Sequence, residues 1–519
     1  MHKNFDVIVI GGGATGLGIA VEAATRGYQT LLLEAHDYGK GTSSKSTKLV
    51  HGGIRYLANF DIALVKEGLE ERFYFLNNAP HLAKKQTYLI PFYNYFDKLK
   101  YFIGIKLYDY LSGRKKIGRS YFLSKQSTYT QVPRLKTEKL ISSAVYYDGN
   151  FDDSRMLITL LRTLEANGGI ALNYHQVTDF IVENTKICGV QVLDKLQHVS
   201  KQFFAKVVVN ATGTLTDVLL NQAEPAQRHH AVSAAQGTHL VFDKAIFDSM
   251  HCLVIPKTSD GRILFVSPWH DKIIVGTTDI AVDNASIEPK ARAEEIDFIL
   301  ETLNRYAKKT VTKADIKSVF CGQRPLVSDP KQQSTGKVSR KHQLLETANG
   351  LISMVGGKWT IYRRMGEDTI DYAVAKNYLP PSKSVTRDFK LFACPTTVDH
   401  NWLGVYGTEK QQILDLQKQL NNTAKIHPDL PYLQAEVIYH VRYEQAKTVE
   451  DVLARRTHAV LLDAEAAQQS ALIVAQLMAK ELGKPQVWID EQLKQFSVFL
   501  EGYMLTQNDA GGGNNASGG

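Results

Sequence analysis

"FDVIVIGGGATGLGIAVEAATRGYQTLLLEA", Phe5 to Ala35, decides how the rest of the chain is read. A short apolar run, a glycine turn, a helix-length stretch of small and aliphatic residues and a second apolar run give the order strand, helix, strand of a βαβ unit. Gly11, Gly13 and Gly16 stand in the spacing G-x-G-x-x-G, and Glu34 follows at the end of the second strand. Each position has a physical reason. Gly11 permits a sharp turn, Gly13 lets a pyrophosphate approach the backbone at a helix N-terminus, and Gly16 allows close helix–strand packing. Glu34 can accept a hydrogen bond from a ribose hydroxyl, and its charge repels a 2′-phosphate, which argues against NADP without choosing between NAD and FAD.

Farther along, "KVVVNATG" (Lys206–Gly213) is another apolar strand ending in a small-residue turn. A nucleotide unit at the start, closed so much later, is the layout of FAD enzymes with split domains, an analogy of arrangement. A helix stripe runs through Met156, Leu157, Leu160, Leu161 and Leu164, and alternating strands follow in "VTDFIVENTKICGVQVLD". The stretches "GTHLVFD", "RILFVSPW" and "DKIIVGTTD" read as antiparallel strands with long loops. Pro380 and Pro381 mark a linker, beyond which "TEKQQILDLQKQL", "LQAEVIYHVRYE" and "AEAAQQSALIVAQLMAKEL" are helical. The expected fold class is therefore α/β. A discontinuous Rossmann-like dinucleotide domain (1–80, 150–234, 336–378) carries an inserted antiparallel substrate domain (81–149, 235–335). An all-helical C-terminal domain (385–506) and a flexible Gly/Asn/Ser tail (507–519) complete it.

The bulk properties agree with this organisation. The 519 residues, with 44% hydrophobic and 22% charged, call for several ordinary globular domains. Four widely spaced cysteines with no C-x-x-C pair signal neither a zinc site nor a disulfide framework. With the first strand so near the start, no signal peptide is expected, and no apolar run is long enough to span a bilayer. The expected location is cytoplasmic, at the inner face of a membrane. A net charge of +8 suits an anionic small substrate, an anionic membrane or nucleic acid equally.

The motifs "GGGATGLG", "TSSKSTKLVHGGIRYL", "NATG", "VGTTD", "GQRPLVSD" and "GGKWTIYRRMGED", with "VRYEQAKTVEDVLARRTHAVLLDA" near the end, are similar to those of the respiratory FAD-dependent glycerol-3-phosphate dehydrogenases. That family lies within the D-amino-acid-oxidase-like flavoproteins. The resemblance implies oxidation of sn-glycerol 3-phosphate to dihydroxyacetone phosphate on FAD, with electrons passed to membrane quinone; non-covalent attachment is expected because the glycine turn supplies a phosphate cradle. It implies that FAD is held by Gly11, Gly13, Ala14, Thr15, Gly16, Glu34 and Ala35, and by Thr42, Ser43, Ser44, Thr47, Lys48 and Leu49. It adds Ala211, Thr212 and Gly213 together with Gly356, Gly357, Lys358, Trp359 and Thr360. Arg55, Tyr56 and Arg340 are expected at the substrate, with Arg55 and Arg340 on its phosphate, because a guanidinium fork gives paired charge-assisted hydrogen bonds.

For the chemistry, Lys358 can stabilise negative charge on the reduced ring, and Arg324 a developing alkoxide, since arginine does not deprotonate and is no base. His51 or His239 has a suitable intrinsic pKa for the base, although His239, on an apolar strand, reads equally as a packed core residue. Thr278 and Asp279 lie at a strand end suited to lining the pocket, and Asp279 is expected to orient a cation or a histidine. From Leu99, the residues Phe102, Ile103, Leu107, Tyr110 and Leu111 share one helical face, interrupted by Lys106, which together with the resemblance implies one-sided membrane association. A homodimer is allowed, and nucleic acid is not an expected partner because no recognised module accompanies the basic residues. Two alternatives stand beside this reading: a glycerol-3-phosphate oxidase that reduces oxygen, and a flavin-bound, nucleic-acid-associated interaction protein that does not turn over.

Overall fold

The computed structural model describes residues 4–259, 261–328, 341–399 and 401–505. The expected βαβ unit is present. Strand β1 (Asn4–Ile10) leads through Gly11–Gly13 into helix α1 (Ala14–Thr25), and strand β2 (Thr30–Leu33) returns parallel to β1. β1 is buried on both faces: Val7 and Val9 pack toward α1, Ile8 and Ile10 into a second cluster on the opposite side. That explains a continuous apolar strand where a half-exposed one would alternate.

The first sheet has the order His342–Glu346, Ile352–Gly356, Val199–Asn210, β1, β2, Ile170–Leu172, with the hairpin His175–Glu183 and Lys186–Asp194 attached to Val199–Asn210. β1 is flanked by parallel strands on both sides, so the crevice beyond its carboxyl end is a topological switch point. The second sheet is mostly antiparallel and holds ten strands, with one parallel pairing between Ala83–Phe92 and Cys252–Ile255. The short strand Leu49–Val50 pairs in this second sheet with Ser142–Phe151, although it lies in the segment assigned from sequence to the dinucleotide domain.

Helix α2 (Ile62–Asn78) and helix α3 (Tyr95–Leu111) pack beside the second sheet, each started by an Asx cap, Asp61 on the Leu64 N–H and Asn94 on the Asp97 N–H. The apolar stripe of α3 faces outward. Leu99, Phe102, Ile103, Leu107 and Tyr110 are exposed, and the buried side chains of the helix are Ile105 and Tyr108. Lys106 leaves the stripe and donates to the Ser120 carbonyl at 3.2 Å. The C-terminal region is helical through Gln486–Leu500. No helix of the described residues is long and apolar enough to cross a membrane. The sequence-predicted tail 507–519 lies outside the described residues.

Candidate active site

A cavity of about 1300 Å³ opens between the two sheets. Its inner end is the glycine turn. Gly11 has φ +110°, and a Cβ there would stand 2.6 Å from the Ala211 carbonyl oxygen, while one on Gly16 would stand 1.8 Å from the Gly11 carbonyl oxygen. Gly16 thus does not border the cavity but lets the turn fold tightly over α1. Gly13 caps the helix without a side-chain partner, and the Ala14 N–H donates to Ser43 Oγ at 2.9 Å. A helix N-terminus bare of acidic side chains, under a backbone that glycine keeps thin, fits a dinucleotide pyrophosphate. Glu34 accepts the N–H groups of Gly12 (2.7 Å) and His36 (2.8 Å), and burial raises its pKa. Those two bonds hold its carboxylate at the cavity wall.

All but three residues singled out as cofactor ligands border the cavity; Gly16, Ser44 and Lys48 do not. Ser44 is buried and offers its carbonyl to Lys48 Nζ (2.8 Å). Lys48 is fully buried, with φ +62°, and ion-pairs with Asp153 at 2.5 Å. The loop turns it inward, a burial that only a partnered ammonium tolerates. The Trp359 indole N–H donates to the Ser43 carbonyl at 2.8 Å, which ties the later "GGKWT" turn to this loop.

The far wall is one face of a strand pair. Val232–Asp243 and Ile316–Val327 run antiparallel with His239 opposite Phe320, Gly237 opposite Gly322 and Ala235 opposite Arg324. Alternation puts these six on a common face. His239 stacks on Phe320 with centroids 4.6 Å apart and planes 9° apart, and Thr47 Oγ1 lies 2.8 Å from its Nε2. Burial, then the charges of Arg324 and Lys48, hold its pKa well below the ordinary value, so the ring is neutral. His239 is therefore packed core and cavity wall together. Arg324 reaches across the side-chain-free position of Gly237: its Nη2 donates to Thr277 Oγ1 (2.9 Å), and its Nη1 lies 3.3 Å from both the Thr278 carbonyl and Asp279 Oδ1. Asp279 thus orients a cation. Thr278 turns its hydroxyl away, accepting the Thr238 N–H and donating to Glu295.

His51, Tyr56 and Lys358 also border the cavity. Lys358 Nζ lies 5.1 Å from the Tyr56 ring centroid, and the His51 N–H meets Thr360 Oγ1 at 3.3 Å. Arg340 and the Arg55 side chain lie outside the described residues. The glycine pair after His51 serves packing: a Cβ on Gly52 would meet Tyr108 Oη at 2.5 Å and Leu69 at 2.6 Å. Sequence reading missed Thr277, Gly237 and Phe320, whose roles depend on strand register, and also Lys100 and Arg262 on the cavity wall, which no motif marks.

A pyrophosphate cradle opening onto a large cavity between two sheets, with the Arg324 guanidinium on the far wall, fits an FAD-dependent oxidoreductase. The family model for FAD-dependent oxidoreductases matches residues 6–363, and that for the C-terminal domain of alpha-glycerophosphate oxidase matches 352–491. A probable mitochondrial glycerol-3-phosphate dehydrogenase of Dictyostelium discoideum is 36% identical, over 97% of this chain and 84% of the relative. The mitochondrial glycerol-3-phosphate dehydrogenase of Homo sapiens is 35% identical, over 96% and 73%. The crystal structure of the glycerol-3-phosphate dehydrogenase from Bacillus halodurans complexed with FAD superposes with a TM-score of 0.79 at 27% identity, covering 96% of this chain and 95% of that one. The chain belongs to the FAD-dependent glycerol-3-phosphate dehydrogenase family, and its cofactor is FAD.

Proposed function

We propose that the protein oxidises sn-glycerol 3-phosphate at C2 to dihydroxyacetone phosphate and delivers the electrons to quinone dissolved in a membrane. The observation that carries this reading is the charge around the cavity beyond the glycine turn. Arg324 on the second sheet, Lys358 after the first-sheet strand Ile352–Gly356, Arg262 in the loop before Leu264–Trp269 and Lys100 on α3 border it, while Asp148 and Asp279 beside them are each held by an arginine. Such a wall selects an anion. Arg55 and Arg340 are proposed on the phosphate, from the family resemblance.

FAD, when bound, supplies the acceptor for the C2 hydride. Arg324 stays charged and is pinned by Thr277 and Asp279, so it offers fixed donors to an oxygen that is losing its proton. His239 has its Nε2 engaged by Thr47 and is kept neutral by burial, which makes it a weak base. We therefore assign the hydroxyl proton to His51 and give His239 a positioning part. Lys358 supplies positive charge on the wall where the ring would be held. The exposed apolar face of α3, and Phe60 at 87% exposure where Leu57, Ile103 and Leu107 form the cavity mouth, support docking on a bilayer from one side and entry of a lipid-dissolved acceptor.

Anaerobic addition of sn-glycerol 3-phosphate to the FAD-loaded protein should bleach the flavin, and persistent colour would remove the assignment. A short-chain quinone should then reoxidise the bleached protein faster than oxygen does; the reverse order would make it an oxidase. Leu99→Asp should abolish sedimentation with anionic phospholipid vesicles while flavin bleaching persists.

A further inference from the structure

Beneath the turn that presents His51 lies a buried polar cluster of which only Asp148 borders the cavity. Tyr108, on the inward side of α3, is 1% exposed. Its hydroxyl accepts the Gly52 N–H at 2.9 Å and lies 2.8 and 2.9 Å from the two carboxylate oxygens of Asp148. Burial, then the Asp148 charge, keeps the phenol protonated, so it donates to Asp148 and has its lone pairs for Gly52. Asp148 is held in turn by Arg72 of α2 at 2.6 Å, and Arg72 donates to the Tyr147 carbonyl at 3.1 Å. Removing the phenol oxygen would leave the Gly52 N–H only its longer, 3.3 Å approach to Asp148.

The turn has little slack. A Cβ on Gly52 would stand 2.5 Å from Tyr108 Oη, and one on Gly68 of α2 would stand 2.9 Å from the Gly52 carbonyl oxygen. On its other side the turn is tied through the His51 N–H to Thr360, in the segment that carries Lys358. The opposite face of α3 shows Leu99, Ile103, Leu107 and Tyr110 to solvent. Those residues and the hydroxyl under Gly52 stand on one helix, so a shift of that helix as a body carries both.

We propose that Tyr108 is a positioning residue which couples the seating of α3 on a bilayer to the His51–Gly53 turn, so that membrane contact sets the affinity of the site for its phosphate-ester substrate. The proposal rests on the function and the membrane face put forward above.

The experiment uses the FAD-loaded full chain with sn-glycerol 3-phosphate and a soluble dye as electron acceptor, which makes turnover independent of quinone. KM and kcat are measured with and without anionic phospholipid vesicles, and sedimentation reports vesicle binding separately. Wild type is expected to bind vesicles and to lower its KM on doing so. Tyr108→Phe should bind vesicles and FAD equally well. Its KM should stay about two- to tenfold higher in the presence of vesicles, the range of one neutral hydrogen bond, and should no longer respond to lipid. Asp148→Asn is the second variant, expected to shift KM in the same direction. A vesicle-bound Tyr108→Phe protein with the wild-type KM response overturns the coupling, as does a wild type that binds vesicles without any change in KM. Absence of vesicle binding by wild type overturns the membrane reading and the coupling with it, whereas absence of dye reduction overturns the functional reading.

Discussion

Replacing Gly237 with alanine separates the placement of Arg324 from the stability of the sheet. Gly237 lies on the same face as Arg324, two positions along from its cross-strand neighbour Ala235. A Cβ at 237 would stand 2.5 Å from Arg324 Nη2, 2.7 Å from Nη1 and 2.5 Å from Thr277 Oγ1. Non-bonded carbon normally keeps about 3.5 Å or more from such atoms, so the guanidinium must retreat by about 1 Å. The obstructed atoms are the ends of side chains and the backbone at 237 is unstrained, so the fold accommodates the change. What is lost is the 2.9 Å bond to Thr277 and the aim of the fork. One charge-assisted hydrogen bond is worth about 1.5–3 kcal/mol, so kcat/KM should fall roughly 10- to 150-fold. Steady-state kinetics with sn-glycerol 3-phosphate and a dye acceptor would measure it, beside FAD content and Tm, both expected near wild type. A kcat/KM within twofold of wild type would show that the Arg324 position is immaterial to turnover and would refute the role given to it.

The other expectations concern cofactor, interior and pH. Gly16→Ala places a methyl 1.8 Å from the Gly11 carbonyl oxygen, a backbone atom that cannot swing aside. Loss of two phosphate contacts at about 1.5 kcal/mol each should weaken FAD binding ~100-fold, and fluorescence titration of the apoprotein would expose the error if affinity held. Asp37→Asn removes the carboxylate that accepts from Arg456 (2.7 Å) and Arg455 (2.6 Å), both buried. Stability should fall by about 3–5 kcal/mol, and an unshifted denaturation midpoint would count against the pairing. Burial lowers His81 to about 4 and His440 to about 3. These histidines stay neutral in the folded chain but take up a proton when unfolded below about 6.5, so their stabilisation is complete above that pH and drains away as pH falls toward 4. Glu436, pushed up to about 7 by burial, offsets part of this. Tm should fall between pH 7 and 4.5, and a level profile would contradict the burial of these imidazoles.

The dinucleotide half was legible because each of its signals is local. Gly11, Gly13, Gly16 and Glu34 act within one turn, and the apolar runs beside them can be little but strands. The second sheet was legible as strands but not as a surface. That Gly237 makes room for Arg324, or that Phe320 backs His239, depends on a register between strands some eighty residues apart. Buried ion pairs leave even less trace. Lys48 sits in a motif rich in cofactor ligands, yet its ammonium finds Asp153, a pairing that no spacing announces. Likewise Tyr108 reads as one more aromatic in an amphipathic helix until Asp148 and Gly52 are seen beside its hydroxyl. The stripe on α3 was visible as a stripe. Whether it faced the sheet or the solvent was a tertiary fact.

The helical C-terminal region bears on the cofactor without reaching the cavity. Among the described residues, none beyond Met365 borders that space. The loop after β2, whose first residues border the cavity, is nevertheless gripped from the C-terminal side. Asp37 is bonded by Arg455 and Arg456, Tyr38 donates to Gln445 (3.0 Å), and Lys40 pairs with Glu450 (2.8 Å). Both arginines come from one π-helical turn, Asp451–Arg456, whose wider winding aims two successive guanidinium groups at one carboxylate. The helix Asp153–Ala166 is held in the same way, His458 on Asp152 (2.6 Å) and Glu444 bidentate on Arg155. Charges buried to this degree are tolerable only with their partners in place, since each stranded ion costs several kcal/mol. The Pro380–Pro381 segment is itself stitched to the turn between α1 and β2, through the Tyr28 hydroxyl on the Pro380 carbonyl and Arg26 on the Ser382 carbonyl. The loop that borders the cavity is therefore held in this conformation by bonds from the helical C-terminal region as well as from its own sheet.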